Sequence, residues 1–172
     1  MKTAALDQIQ DFLKDKNNKK YHFNNHEDLN YKIPSGSLNL DIALSGGLTP
    51  GAHRFTGVNE GGKTSCSLAF AKNFQDMFGE DAMVVVIKAE GRLSQEMLNR
   101  SGIDTSPERF FVFDCKIFEK VFELIRNLVF NNEENRKFMF IVDSVDALCR
   151  INDIDKGFDE PEQVAGGALI TS

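Results

Sequence analysis

The chain contains no tryptophan and only two tyrosines against fifteen phenylalanines. Its aromatic content is therefore almost wholly apolar and points to a tightly filled interior. Cysteine is scarce as well: Cys66, Cys115 and Cys149 are odd in number and form no C-x-x-C pair. That argues against a disulfide framework and for a reduced intracellular protein with buried thiols. His22 and His26 stand four apart in a polar stretch, without the ligand pattern of a metal site, and solvated histidines account for them. No apolar run approaches the ~20 residues of a membrane span, and the start lacks a signal-peptide core, so the expected location is the cytoplasm. Positive charge is in deficit, with 20 Lys and Arg against 26 Asp and Glu and a net charge of −6. This excludes a generally basic nucleic-acid-binding surface, while leaving room for a local loop or an assembled groove that binds DNA. At 172 residues the chain can bury one substantial core, and one domain is the default.

What is present is a phosphate-binding signature. Gly57-Val58-Asn59-Glu60-Gly61-Gly62-Lys63-Thr64 has the G-x-x-x-x-G-K-[ST] spacing, in which glycines let successive backbone N–H groups turn inward around a triphosphate. Lys63 is expected to reach the β- and γ-phosphates, and the Thr64 hydroxyl to ligate Mg²⁺. Ser65 continues the loop into a helix whose N-terminus adds partial positive charge. Leu68, Ala69, Phe70, Phe74 and Met77 recur at helical spacing, and Gly79 sits where a C-terminal cap belongs.

Along the chain, Leu6, Ile9, Phe12 and Leu13 fall on one face of a short helix. Residues 14–30 are polar and read as linker. A short helix begins at Leu38 and ends at Gly46-Gly47, and Ala52-His53-Arg54-Phe55-Thr56, a weakly apolar stretch, leads as a first strand into the phosphate loop. Met83 to Ile87 is a continuous apolar run, as for a central parallel strand, and it ends in Lys88-Ala89-Glu90. A helix from about Ser94 to Arg100 stops at Gly102. Phe110 to Phe113 is a third strand, followed by a helix with Ile117, Val121, Leu124, Ile125 and Leu128 inward. Phe138 to Val142 is a fourth strand that runs into Asp143. A carboxylate there is what a hydrated Mg²⁺ beside Thr64 requires, so Asp143 is the second metal-holding residue. No Asn-Lys-x-Asp guanine-reading sequence is present.

These landmarks, residues 33–44, the phosphate loop, Ile87-Lys88-Ala89-Glu90 and residues 141–148, resemble in order and spacing those of the RecA-family recombinases, bacterial RecA and its phage UvsX-like relatives. The resemblance implies a P-loop NTPase of RecA type, an α/β fold with a mostly parallel sheet flanked by helices, incomplete at the C-terminal side. Residues 1–32 correspond to a helix and linker that dock on a neighbouring subunit, and residues 33–172 to a truncated ATPase core. It implies an ATP- and Mg²⁺-dependent, DNA-stimulated ATPase that forms homo-oligomeric filaments on single-stranded DNA for pairing and strand exchange. Glu90 takes the family's water-activating position, which suits the chemistry of phosphoryl transfer to water. The family's sheet order, 5-1-4-3-2, puts the phosphate-loop strand at an edge once the fifth strand is missing.

Departures from the pattern refine the expectation. Lys88 stands where the family usually has Asp, and a period of two along a strand would set it on the same side as Glu90. A nearby ammonium would lower that carboxylate's basicity and slow hydrolysis. Met97 and Ser94 occupy the places that contact adenine in the family, and Met97 is expected against the base. Residues 150–163 match a DNA-contacting loop yet carry Asp153, Asp155, Asp159, Glu160 and Glu162, which repel phosphate. Pro161 can start a helix that continues over 164–170, and the sequence then stops before the family's next strand. A fragment of a longer recombinase is preferred to a sheet completed by another chain. Two alternatives stand beside the recombinase: a non-hydrolysing nucleotide-binding module that regulates a related filament, and a RecA-like hexameric motor ATPase.

Overall fold

The computed structural model of the protein describes residues 30–91 and 93–151 together with Gln8, Asp11, Phe12 and Lys14. The chain divides into two units, Met1–Tyr31 and Lys32–Ser172. In the first, the four described residues from Gln8 to Lys14 are helical and Phe12 is 56% exposed. Leu6, Ile9 and Leu13, the histidines 22 and 26, the acidic loop beyond Ile151 and the helix expected over 164–170 lie outside the described residues.

In the second unit, helix α1 (Leu38–Ala43) is tied to the chain before it by Asp41, whose Oδ1 accepts from the Ser35 amide and hydroxyl at 2.6 and 2.7 Å. Helix α2 (Lys63–Phe78) buries Leu68, Phe70, Ala71 and Phe74 and stops at Gly79, whose φ of +57° carries the chain out of the helix. Strand β1 (Ala82–Lys88) follows, then helix α3 (Gln95–Ser101), capped by the Ser94 hydroxyl and ended by left-handed Gly102. Strand β2 (Phe110–Asp114), helix α4 (Phe118–Phe130) and strand β3 (Lys137–Asp143) complete the core. Apart from α1, which ends at Ala43 rather than at Gly46-Gly47, these elements coincide with the expected ones to within about two residues.

The three strands form one parallel sheet in the order β2-β1-β3. Val85, Ile87 and Ala89 point to one face, where they pack with Val121 and flanking side chains of α4. The alternate residues of the strands, ending in Lys88, Asp114 and Asp143, point to the other face, which α2 covers. Helices thus lie on both faces of an all-parallel sheet, as parallel strands with apolar residues on both sides require.

Two expectations are corrected. Residues 52–56 form no strand. That stretch offers few side chains to bury, and Phe55 instead stacks on Phe70 of α2 with ring centroids 5.9 Å apart. The strand order also differs: 5-1-4-3-2 would put the Phe110 strand between the other two, whereas β1 holds the middle. The physical reason is visible in burial, since Val84, Val85, Val86 and Ile87 of β1 are almost wholly enclosed while Phe111 and Val112 of β2 remain 46% and 38% exposed. The most continuous aliphatic run takes the position covered on every side, and β2 is an edge.

Candidate phosphate-binding site

The loop from Gly57 to Gly62 is exposed, and its backbone takes turns that ordinary residues avoid. Glu60 has φ +59° and Gly62 φ +82°. A Cβ on Gly61 would come within 2.9 Å of the Val58 carbonyl oxygen, and the Gly61 amide donates to that same oxygen at 3.2 Å. Glycine at 61 is therefore a steric requirement of the turn. Gly62 is the N-cap of α2 and supplies no side chain to satisfy the first-turn amides, which leaves those donors facing outward for an anion. Ser65 is exposed in the same turn.

Lys63, the first residue of α2, bends back so that its Nζ donates to the carbonyls of Gly57 at 3.1 Å and Val58 at 2.8 Å. The ammonium thus lies within the loop. Thr64 donates from Oγ1 to Oδ2 of Asp143 at 2.7 Å. The two residues are 79 positions apart, and the carboxyl end of β3 meeting the amino end of α2 is what brings them together. At the end of β3 the Asp143–Ser144 peptide is cis.

Glu90 lies just past the end of β1 and is exposed. It is tied to Asp143 through the backbone, because the Asp143 carbonyl accepts from the amides of both Ala89, at 2.8 Å, and Glu90, at 3.1 Å. The structure therefore brings Lys63, Thr64, Asp143 and Glu90 to one end of the parallel sheet, the carboxyl end of its strands. Ligands of open α/β sheets bind at that end. Met97 is reached by none of these contacts among the described residues. It is half-buried on α3, its amide donates to the capping Ser94 hydroxyl at 3.2 Å, and its helix packs on α2.

Lys88 is the last residue of β1, and Glu90 lies two residues beyond it. The Lys88 ammonium pairs with Asp114 Oδ2 at 2.7 Å. Sequence reasoning passed over Asp114. Its signal was there, since each of the three strands closes its apolar run with a charged residue, Lys88, Asp114 and Asp143.

The donor set fits magnesium. Among the described residues no group of three or more His, Cys, Asp or Glu could form an all-protein metal cage. Adjoining hydroxyl and carboxylate oxygens from Thr64 and Asp143 suit a hard cation that keeps most of its waters and takes further oxygens from phosphates. Cys66, one turn into α2, has its thiol pushed above the ordinary range by burial, which keeps it protonated and unreactive at neutral pH. No helix among the described residues is long and apolar enough to cross a membrane.

A family model described as the RecA N-terminal domain matches residues 2–171. Comparison with curated proteins and comparison with solved structures each found no match.

Proposed function

The chain belongs to the RecA family through its RecA N-terminal domain, and from that membership we propose that it is the ATP-binding core of a DNA recombinase. In this reading it binds ATP with Mg²⁺, assembles as a filament on single-stranded DNA and hydrolyses ATP when DNA is bound. Members of the family are DNA-dependent ATPases with a filament-forming role in recombination. The observation that carries the reading to this chain is the 2.7 Å hydrogen bond from Thr64 to Asp143. It joins the end of the phosphate loop to the end of a parallel strand, the arrangement a nucleotide-bound magnesium ion needs.

Each residue has a chemical part. The glycine loop amides and the first turn of α2 donate to phosphate oxygens. Lys63 Nζ exchanges its loop carbonyls for the β- and γ-phosphates, so it is already placed before nucleotide arrives. Thr64 and Asp143 hold the Mg²⁺, which neutralises charge on the phosphate oxygens when bound. Glu90 would accept a hydrogen bond from the attacking water and orient it toward the γ-phosphorus, taking its proton as the new oxygen–phosphorus bond forms and the bond to the β,γ-bridging oxygen breaks, with ADP leaving with that oxygen's electron pair. Met97 is the residue proposed to pack against adenine.

The test is ATP hydrolysis by the full chain with and without single-stranded DNA, alongside binding of a fluorescent ATP analogue. Glu90→Gln should retain binding and lose about 100-fold or more in turnover, the range for removal of a general base. Thr64→Ala and Asp143→Asn should weaken Mg²⁺-dependent binding. Wild-type protein that binds the analogue equally well with and without Mg²⁺ overturns the reading.

A further inference from the structure

Asp114, Lys88 and Asp143 form one row across the sheet. Lys88 is in register with Asp114 on β2 and with Asp143 on β3. Neighbouring parallel strands lie about 4.8 Å apart and in-register side chains share a face, so a cation stands directly between two carboxylates on the α2 side. A lysine side chain spans enough length to reach either neighbour, and here its ammonium lies on Asp114 at 2.7 Å. The Asp143 carboxylate is engaged instead by the Thr64 hydroxyl. Lys88 is only 31% exposed in its side chain against 64% for Asp114, so the ammonium sits toward the sheet while its partner reaches solvent.

We propose that Lys88 and Asp114 are positioning residues that set the Mg²⁺ requirement of the nucleotide site, Asp114 holding the Lys88 ammonium off Asp143. This rests on the reading of Thr64 and Asp143 as the magnesium-holding pair. An ammonium beside a carboxylate competes with a divalent cation for the same oxygens. While Asp114 holds Lys88 the pair is neutral and Asp143 keeps its full charge. Without Asp114 the nearest anion in the row is Asp143 itself, and Mg²⁺ must displace Lys88 to bind. Without Lys88 the row carries two carboxylates and no cation, and Mg²⁺ is attracted more strongly.

The experiment titrates Mg²⁺ against the full chain and reads binding of a fluorescent ATP analogue, with no hydrolysis required. Asp114→Asn should raise the half-saturating Mg²⁺ concentration about two- to fivefold, the scale of a partly exposed ion pair. Lys88→Met should lower it, and the double variant should return to the wild-type value or below. The inference is overturned by an Asp114→Asn midpoint within about twofold of wild type, or by a rise that persists in the double variant. Asp143→Asn separates the two levels of argument. If it leaves the midpoint unmoved, the magnesium reading fails; if it moves the midpoint while the Lys88 and Asp114 variants do not, only this inference fails.

Discussion

At the scale of single residues, Asp41 shows how a surface carboxylate acquires a structural task. Its Oδ1 receives both the amide and the hydroxyl of Ser35, and these hydrogen bonds hold its pKa below the usual carboxylate range. A depressed pKa in the folded state means stability that is fully present above the unfolded value, about 4, and lost as pH falls through the folded value. Asp41→Asn should therefore lower the urea midpoint at pH 7, and the gap from wild type should close in acid. A gap of equal size at pH 7 and pH 3 would contradict the assignment. Residue identity also made the site legible. Lys63 and Thr64 were set by the glycine spacing, and Asp143 by its place after an apolar run. Asp114 was not, because its meaning depends on lying opposite Lys88, and register is a relation between strands.

At the scale of elements, packing separates side chains that look alike in sequence. Phe74 and Met77 are both apolar residues of α2, yet Phe74 is 1% exposed and Met77 42%. Phe74→Ala should cost about 3–5 kcal/mol of unfolding free energy, as a large cavity in a core does, whereas Met77→Ala should stay within about 0.5 kcal/mol. Denaturant unfolding of the two variants measures the contrast, and equal losses would contradict the burial of this helix face. Helices α2 to α4 and all three strands were legible because long apolar runs and glycine stops mark them. The stretch 52–56 was read as a strand from its position before the loop, although Phe55 is its one large apolar residue. Strand order was inherited from the resemblance. Burial decides it here, and burial on both faces is a property of neighbours that one strand's sequence hints at only through unbroken aliphatic character, as in Val84-Val85-Val86-Ile87.

For the whole molecule, nucleotide binding should appear as stability. A ligand that binds only the folded chain adds about 2.7 kcal/mol at one hundred times its Kd, equivalent to a rise of roughly 5–10 °C in Tm for a chain of this size. ATP with Mg²⁺ should produce that rise in the wild type, and Lys63→Ala, which removes the loop's ammonium, should abolish most of it. An undiminished rise in Lys63→Ala would move nucleotide binding away from the glycine loop. With a net charge of −6, any contact with DNA would have to come from local surfaces rather than from the field of the whole chain.

The carbonyl of Asp143 receives two amides at once, those of Ala89 and Glu90. One backbone oxygen therefore ties the main chain at Glu90 to the main chain at Asp143. A change that pulls the backbone at Glu90 aside would pull on the same carbonyl that Asp143 offers, so its expected signature is a joint loss of turnover and of magnesium-dependent binding, whereas Glu90→Gln, which alters only the side chain, should separate the two.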